Sequence, residues 1–332
     1  MKIGIIGDIH FSEYSSILRT AGRKYSTRLE NCIESINWAE EVTSDCYKVI
    51  YLGDFFDKSS LNSKELTALS EIRWNSCEHE FLVGNHEMGI NNLLFSSAHV
   101  LKENTRKFVV DKPFKSYLGN CELCYLPYIL EDSKKSSIND YFGKLEAEKR
   151  VIFSHNDIAG IQLGKFISKA GFSIEDIEAN CNLFINGHLH NGSNITNKII
   201  NVGNLTGQNF SEDGFKYEHH ILILDTDTLE YEFYKNPFAI NFYKLENIED
   251  IYKVENGVIT IKVIEDNITR TKKLVSENKN VLVSRIIVEH NNTKTEDQKL
   301  SSIDHLDEFR KFVLQEIGTS DLVQEELDII DG

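Results

Sequence analysis

The sequence predicts an α/β protein in which two β-sheets pack face to face between helical layers. This is a four-layer α/β/β/α sandwich, followed by a smaller C-terminal α+β region. Residues 1–125 alternate short apolar runs with longer helical patterns, which is typical of parallel strands joined by crossover helices. From about residue 108 the apolar runs follow one another closely, so we expect a second sheet there.

The individual elements follow from the spacing of apolar residues, which recur every three or four positions in helices and form short runs in strands. The first sheet is predicted as strand Lys2–Gly7, helix 26–43, strand Val49–Leu52, helix 63–75 and strand Glu80–Val83. Further strands are predicted at 108–110, 121–126, 150–154, 182–186, 195–202 and 219–225, with a helix and loops over 131–149.

The pattern changes again after Pro237, which predicts a domain boundary near residues 237–245. We expect a large domain over 1–238, a smaller α+β domain over 239–300, which the family resemblance described below identifies as similar to a capping domain, and a C-terminal helical segment over 301–332. The smaller domain has strand patterns at 257–264 and 281–288. In the last segment, Ser302 is placed to cap a helix over 303–317, and an acidic amphipathic stretch follows at 321–330.

Composition narrows the classes of function. The chain has 332 residues, with 52 acidic and 36 basic side chains and a formal charge of −16. A surface that binds nucleic acid unaided is usually basic, so binding of DNA would have to depend on metal ions, a local patch or a partner.

No apolar stretch approaches the ~20 residues of a membrane span. The run Ile3–Ile6 is too short for a signal peptide, so we expect a cytoplasmic protein without a membrane partner.

The cysteines do not form a disulfide framework for a chain of this size. Cys121 and Cys124 have the spacing of a zinc knuckle or redox pair, but the sequence contains no second such pair. We expect these thiols to be buried, reduced and structural.

Five short segments carry hard oxygen or imidazole donors, and each lies at the predicted end of a strand. They are Gly7-Asp8-Ile9-His10, Gly53-Asp54-Phe55-Phe56-Asp57, Gly84-Asn85-His86-Glu87, Ser154-His155-Asn156-Asp157 and Gly187-His188-Leu189-His190. The carboxyl ends of parallel strands gather at one edge of a sheet, so we expect these segments to meet. Together they supply enough ligands for two divalent cations, which at ~3.5–4 Å separation can activate water and neutralise charge in phosphate-ester hydrolysis.

Each donor has an expected role. Asp54 is the natural bridge between two ions, because it follows a strand and a glycine that lets the backbone approach closely. The other expected ligands are Asp8, His10, Asn85, His155, His188 and His190. This mixture suits manganese, iron or zinc better than calcium. His86 adjoins a ligand without being one, and is expected to stabilise developing charge or protonate the leaving oxygen.

Three carboxylates have two open interpretations. Asp57, Glu87 and Asp157 either orient ligand imidazoles from outside or serve a plain structural role, and Asp57 could also cap the helix that follows it. The other histidines are not spaced from further donors as metal ligands are in the five motifs. We interpret them as surface or core residues: His79, His99, His219, His220, His290 and His305.

The five motifs resemble those of the calcineurin-like metallophosphoesterase superfamily over roughly residues 1–225. The resemblance implies the four-layer sandwich and a dinuclear site. It assigns one ion to Asp8, His10, Asp54 and His190, and the other to Asp54, Asn85, His155 and His188. It also matches His86 to the catalytic histidine of the family.

Within the superfamily, the chain is similar to the SbcD-type nuclease subunit of recombination and repair complexes, including short bacteriophage versions. The similarity is carried by Arg28-Leu29-Glu30, by Gly53-Asp54-Phe55-Phe56-Asp57, and by the run from Asn201-Val202-Gly203-Asn204 to Phe210-Ser211-Glu212. Lys58 and Val83 stand where phosphoprotein phosphatases usually carry arginine. The chain departs from the SbcD-type pattern with Phe11-Ser12 after His10, and with Glu87 where aspartate is frequent.

This resemblance implies a manganese-dependent DNA exonuclease or endonuclease that works with an SMC-like coiled-coil ATPase in repair or recombination. Residues 303–317 and 321–330 would then bind the ATPase, and a homodimer is a further option. The first rival is a phosphodiesterase or phosphatase for a small nucleotide or a phosphoprotein, which would need no partner. The second is a phosphoesterase fold reused as a binding scaffold, although such scaffolds typically lose metal ligands.

Overall fold

The computed structural model describes residues 1–15, 18, 24–102, 106–163 and 166–289. The predicted helical segments at 303–317 and 321–330 lie outside these residues, as do His290 and His305, so the predictions made for them stay predictions. The same holds for the division into domains at residue 238.

The first part of the chain alternates strands with helices as expected. Its elements are β1 Lys2–Ile6, α1 Thr27–Val42, β2 Lys48–Tyr51, α2 Ser63–Leu69, β3 Glu78–Leu82, β4 Met88–Gly89, β5 Asn92–Ser96 and β6 Lys107–Val110, with a 3₁₀ helix at Ser97–Leu101. Helix α1 begins after Ser26, whose side chain accepts a hydrogen bond from Leu29 N at 3.1 Å. Helix α2 is shorter than the predicted 63–75 and ends at Leu69. Beyond it, the N–H groups of Glu71 and Ile72 bond carbonyls three residues back, and the Arg73 N–H donates to Asn37 Oδ1 at 2.6 Å.

The second part supplies most of the second sheet. Its elements are β7 Phe114–Leu118, β8 Cys121–Leu126, α3 Asn139–Phe142, β9 Lys149–Ser154, β10 Ile158–Ala159, β11 Gln162–Leu163, β12 Phe166–Ile167, β13 Phe172–Ser173, α4 Ile174–Asn180, β14 Leu183–Asn186, β15 Ser193–Asn194 and β16 Ile199–Asn201. A 3₁₀ helix lies at Glu131–Ser133. The predicted single strand 195–202 is wrong, because the chain turns there and β15 pairs antiparallel with β16.

The last described part continues the first sheet and then builds a third one. Its elements are β17 His220–Asp225, β18 Tyr231–Lys235, β19 Asn241–Leu245, β20 Gly257–Ile264, α5 Ile268–Glu277 and β21 Val281–Glu289, with 3₁₀ helices at Ile248–Lys253 and Glu265–Asn267. The strands and helix expected after residue 239 are present. They alternate along the chain, so β19, β20 and β21 run parallel.

Two six-stranded sheets face each other across one apolar core. The strand orders are β18-β17-β1-β2-β3-β6 and β15-β16-β14-β9-β8-β7. Side chains of both sheets meet in this core, among them Ile3, Ile50, Leu123 and Phe153. Helices α1 and α2 cover the outer face of the first sheet, and α3 and α4 cover the outer face of the second. The predicted α/β/β/α sandwich is therefore confirmed.

The directions of the central strands position the site. Strands β1, β2 and β3 are parallel in the first sheet, and β9 and β14 are parallel in the second. Their carboxyl ends are the places at which the five donor motifs begin, so the fold gathers motifs that lie far apart in sequence.

All six cysteines are free and buried, as predicted. Cys121 and Cys124 both lie on β8, three residues apart, so their side chains point to opposite faces of the sheet. Cys121 packs between the two sheets, while Cys124 packs under the outer helices. These two thiols therefore do not converge on one metal ion.

The described residues include no helix with the length and apolar character needed to cross a bilayer.

The third sheet docks on the sandwich through backbone hydrogen bonds. The Gly207 N–H donates to Ile240 O, and the Gly214 N–H donates to Phe242 O, both at 3.0 Å. Phe242 also packs edge-on against Phe210, with ring centroids 5.2 Å apart. The segment from Gly207 to Gly214 thus connects the third sheet to the sandwich.

The stability of the second sheet depends on a buried ion pair between β8 and β9. Arg150 Nε donates to Glu122 Oε1 at 2.7 Å, and neither side chain is exposed to solvent. The guanidinium also donates to Asn139 Oδ1 and to Gly143 O, so it ties α3 to the sheet.

We predict that Glu122→Ala lowers the free energy of unfolding by about 3–5 kcal/mol, because it leaves the Arg150 charge buried without its carboxylate. Urea unfolding followed by circular dichroism measures the change. The matched control is Glu218→Ala, which removes the exposed partner of Lys235 and should change stability by less than about 0.5 kcal/mol. Equal effects of the two variants would contradict this account.

Candidate metal centre

The structure brings all the predicted ligands and His86 together at one edge of the sandwich. Asp8 and His10 follow β1, Asp54 follows β2, and Asn85 and His86 follow β3. His155 follows β9 in the second sheet, and His188 and His190 follow β14. Three groups of these donors each have ligand atoms within 4.8 Å of one another: Asp8, His10 and His190; His10, Asp54 and His86; Asp54, His155 and His188.

Asp54 lies between the two sets of donors. Its Oδ2 is 3.1 Å from His155 Nε2 and 3.9 Å from His10 Nε2. Its Oδ1 accepts the backbone N–H of His86 at 2.9 Å. The carboxylate therefore faces imidazoles of both sets, which is the position that a bridging ligand requires.

The first donor set consists of Asp8, His10 and His190. The rings of His10 and His190 have centroids 5.0 Å apart. Among the described residues, Asp8 Oδ2 is a buried oxygen without a hydrogen-bond partner, and neither ring nitrogen of His10 forms a hydrogen bond of good geometry. A buried polar atom without a partner is destabilising. A cation bound here would satisfy Asp8 Oδ2 and the His10 nitrogen that faces Asp54, so the residues present fit a metal ion.

The second donor set consists of Asp54, Asn85, His155 and His188. Asn85 Oδ1 lies 3.1 Å from His155 Nε2 and 3.0 Å from His188 Nδ1. The second nitrogen of His155, Nδ1, is 2.9 Å from Leu52 O, which fixes the orientation of the ring. The amide oxygen and the two imidazoles converge with Asp54, so this set also fits a divalent ion.

Close backbone approach makes the convergence possible. A Cβ atom at Gly84 would lie 2.1 Å from Asp54 Oδ1, and one at Gly187 would lie 2.6 Å from Asp8 Oδ1, so neither position accommodates a side chain. His10, Asp54 and His188 adopt left-handed backbone angles, with φ of 50°, 47° and 69°. Non-glycine residues in this region are strained by about 1–3 kcal/mol each, and such strain concentrates at functional sites.

Burial sets the protonation of the site. It lowers the pKa of His10 to about 4, and it also lowers the pKa of His155. Both imidazoles are then neutral at physiological pH, the form that binds metals. Burial and the neighbouring Asp54 raise the pKa of Asp8.

Two of the three open carboxylates contact imidazoles of the site. Asp57 Oδ1 lies 3.3 Å from His10 Nδ1, and Asp157 Oδ1 lies 3.2 Å from His188 Nε2. The helix after Asp57 is capped instead by Asn62. Both carboxylates are therefore placed to orient a donor ring.

For Glu87, the structure favours the second of its two open interpretations, a structural role. Its carboxylate accepts the backbone N–H of Gly84 at 2.9 Å and that of Phe56 at 3.1 Å, so it joins the backbones of the second and third motifs. Burial, together with the charge of Asp54, raises the pKa of Glu87 to about 8. The residue thus shapes the loops around the site and does not orient an imidazole.

The sequence reasoning assigned no role to Glu212, which the structure places against His190. Glu212 Oε1 is 3.3 Å from His190 Nδ1 and accepts from Asn204 Nδ2 at 3.1 Å. Its Oε2 accepts the Gln208 N–H at 2.9 Å. In the sequence, Glu212 could be recognised only as the end of the Phe-x-Glu segment, because its partner His190 is distant along the chain.

Arg28 is a second residue without an assigned role. Its side chain is almost completely buried, and it donates to Ile9 O at 2.6 Å and to Gly207 O at 2.7 Å. It therefore fixes the first motif against the segment that carries Glu212. The described histidines outside the motifs lie apart from the donor sets: His79 pairs with Glu40 in the core, and His219 bonds Asn204 O.

The chain belongs to the calcineurin-like phosphoesterase family, whose model matches residues 1–198. It is therefore a metal-dependent hydrolase of the phosphoester class, and the donor sets described above are its candidate metal ligands. No curated protein matches the chain in sequence.

Two solved structures resemble it in fold. One crystal structure aligns at a TM-score of 0.44 and 11% identity, covering 71% of this chain and 98% of the other. The second is a 5'-nucleotidase precursor from Thermus thermophilus, at a TM-score of 0.38 and 12% identity, covering 70% of this chain and 53% of the other. This chain thus spans about half the length of that protein, and neither similarity bears on the substrate.

We predict that divalent metal stabilises the fold through Asp54. A ligand at about one hundred times its dissociation constant adds about 2.7 kcal/mol of stability. Differential scanning fluorimetry should show a higher melting temperature in manganese than in chelator. Asp54→Ala should lose most of this shift, since both donor sets share the residue. An unchanged metal-induced shift in the variant would contradict the bridging position.

We also predict that Glu212→Ala weakens metal binding about 10–100-fold, because residues that orient a ligand imidazole have effects of that size. Isothermal titration calorimetry with Mn²⁺ measures the affinity. Asp213→Ala is the matched control, since it removes the neighbouring carboxylate, which pairs with Lys216. If both variants bind metal like the parent protein, Glu212 does not act through His190.

Proposed function

We propose that the chain is a manganese-dependent nuclease that hydrolyses phosphodiester bonds of DNA. The observation that carries the hydrolytic chemistry is the position of Asp54 between two converging donor sets. Two divalent ions held by these residues would supply Lewis acidity, which makes water more acidic and offsets phosphate charge. Mixed imidazole and oxygen donors support manganese among the candidate metals, with iron or zinc as alternatives.

The position of His86 supports its role at the reacting phosphate. Its side chain is 43% exposed, whereas His10 and Asp54 are buried. Its ring packs edge-on against that of His10, with centroids 4.7 Å apart, and Asp57 Oδ1 lies 3.9 Å from its Nδ1. His86 thus reaches from the donor sets toward solvent, where it can donate a proton to a leaving oxygen or stabilise charge.

The clefts beside the candidate metal ligands favour an extended substrate. A small cleft of about 140 Å³ is lined by His10, Asp57 and Tyr14. Tyr14 also lines a neighbouring cleft of about 510 Å³, which includes Lys58 and Lys64. The ring of Tyr14 is 73% exposed and suits stacking against a base, while Lys58 and Lys64 in this cleft pair with Glu65 and Glu13.

The acidic surface supports a partner. A chain with a formal charge of −16 has a net repulsion for DNA, so we propose that an SMC-like coiled-coil ATPase supplies basic surface in repair or recombination. Residues 301–332 are the proposed contact, and they lie outside the described residues.

A second candidate is a phosphodiesterase or phosphatase for small substrates. The small volume of the cleft at His10 and Asp57 favours it, together with the acidic surface. This candidate predicts fast turnover of small phosphate esters by the isolated chain and no attack on DNA.

We predict that His86→Asn lowers hydrolysis of bis-nitrophenyl phosphate and of end-labelled linear DNA by about 10²–10⁴-fold, the usual contribution of a positioned acid or base. Bound metal, measured by inductively coupled plasma mass spectrometry, should be retained. His99→Asn is the control, since His99 lies beside Asp111, apart from the donor sets, and full activity is expected.

The substrate pair also separates the candidates. Release of mononucleotides from DNA that is lost in His86→Asn supports the nuclease. If the chain cleaves the small ester but leaves DNA intact, even after addition of a basic coiled-coil ATPase, the assignment as a hydrolase is retained and the nuclease proposal is contradicted. Turnover retained in His86→Asn would overturn the role of this residue.

A further inference from the structure

Tyr128 lies beside the second donor set, and the function proposed above does not use it. Its ring is tilted against that of His188, with centroids 5.9 Å apart, and meets the ring of His155 at 6.5 Å. The residue is half-buried, so part of it stays accessible to solvent. Because both imidazoles belong to one donor set, the ring of Tyr128 stands next to any substrate bound there.

The hydroxyl of Tyr128 forms no hydrogen bond with any of the described residues. The hydroxyl of Tyr25, by comparison, donates to Glu71 Oε1 at 2.7 Å, and that of Tyr243 donates to Glu255 O at 3.2 Å. A tyrosine that serves the interior of a protein usually bonds through its hydroxyl. The polar end of Tyr128 thus has no such role within the described part of the chain.

The backbone that carries Tyr128 is fixed to the metal centre. Tyr128 N donates to Val83 O at 2.9 Å, directly before the third motif. The side chain of Asn156, in the fourth motif, accepts from Ile129 N at 2.8 Å and donates to Pro127 O at 3.0 Å. One amide therefore bonds the residues on either side of Tyr128. A side chain on so fixed a backbone loses little conformational freedom when it contacts a ligand.

The charges around Tyr128 indicate what kind of group it contacts. Asp157 and Glu131 lie close enough to act electrostatically on its hydroxyl. Lys134, which acts on Asp157, is paired with Glu131 at 2.6 Å. A second phosphate would be repelled by these carboxylates, whereas an uncharged aromatic group such as a nucleobase can stack on the ring.

His86 and Tyr128 stand beside different donor sets. His86 packs against His10 of the first set, with ring centroids 4.7 Å apart, and Tyr128 packs against His188 of the second. A phosphodiester carries two organic groups, of which one leaves and the other stays on phosphorus. Since His86 is proposed to serve the leaving oxygen, the position at Tyr128 is open to the group that stays.

We propose that Tyr128 determines specificity by stacking on the aromatic group that stays on phosphorus, which in a nucleic acid is the base of the retained nucleotide. This selectivity rests on the phosphodiester chemistry proposed above. Between diesters with the same leaving group, the chain prefers the one whose retained group is aromatic. Stacking of a base on an aromatic side chain corresponds to a preference of about 5–150-fold.

Two small diesters isolate this contact. Bis-nitrophenyl phosphate and methyl nitrophenyl phosphate have the same charge and leaving group, and differ only in the group that stays. Tyr128→Ala should lower kcat/KM about 5–150-fold for the first ester, mainly through KM, and less than about twofold for the second. Tyr128→Phe keeps the ring and should act on both esters like the parent chain. Tyr252→Ala is the matched control, since Tyr252 is 72% exposed on the 3₁₀ helix after β19, and should change neither value.

A purely structural role of Tyr128 would give a different result. Bound metal, measured by inductively coupled plasma mass spectrometry, should be the same in all variants. Loss of metal in Tyr128→Ala, equal loss of activity toward both esters, or a loss in Tyr128→Phe as large as in Tyr128→Ala would overturn the proposal. If Tyr128→Ala fails to fold, Tyr128→Leu retains much of the side-chain volume without the ring and must show the same selective loss.

A binding measurement separates this proposal from the proposed function. Isothermal titration calorimetry with the manganese-loaded chain compares thymidine monophosphate with deoxyribose phosphate, which lacks the base. The parent chain should bind the nucleotide about 5–150-fold more tightly, and Tyr128→Ala should bind both ligands alike. Intact DNA, or no turnover of either ester, would contradict the proposed function and leave this comparison decisive. Equal binding of the two ligands by the parent chain would overturn the role of Tyr128.

Discussion

The absence of side chains at Gly84 and Gly187 is the constraint on which the rest of the site depends. A Cβ at either position would collide with the carboxylate of Asp54 or of Asp8. Because the backbone comes this close, donors from β1, β2, β3, β9 and β14 reach one small volume although the strands belong to two sheets. Glu87 then fixes the loops of the second and third motifs, since its carboxylate accepts backbone N–H groups from both. Arg28 fixes the first motif against the segment at Gly207, since its guanidinium donates to Ile9 O and to Gly207 O. The geometry of the donors is thus a property of the backbone as much as of the ligands.

The electrostatics of the site explain why the fold and the metal belong together. The site buries the carboxylates of Asp8 and Asp54 beside neutral imidazoles, and an oxygen of Asp8 lacks a partner among the described residues. This arrangement is unfavourable without a cation and favourable with one, because a cation supplies the missing partner. The chain tolerates buried negative charge at the site and carries exposed negative charge over its surface.

Much of the site could be predicted because its signals are local. A hard donor at the end of an apolar run identified each of the five strand ends, and in four of the five motifs a glycine precedes that donor. The four-layer fold followed from the order of the runs. Glu212 and Arg28 had no such signal, since their partners lie far away in sequence and only the fold brings them together. The turn at Ile90 and Asn91 could not be predicted for a different reason, because isoleucine disfavours the left-handed conformation that it adopts there. The role of Glu87 stayed open between two interpretations, because adjacency to a ligand in sequence does not determine which way a side chain points.

The central claim is that Asp54 joins two metal ions in one site. Electron paramagnetic resonance of the protein loaded with two equivalents of Mn²⁺ tests it most directly, because ions that share a carboxylate at the ~3.5–4 Å spacing of dinuclear sites are magnetically coupled. The account predicts the spectrum of an exchange-coupled pair, replaced in Asp54→Ala by that of isolated ions. A spectrum of isolated ions in the parent protein, or a coupled pair that survives the loss of Asp54, would contradict it.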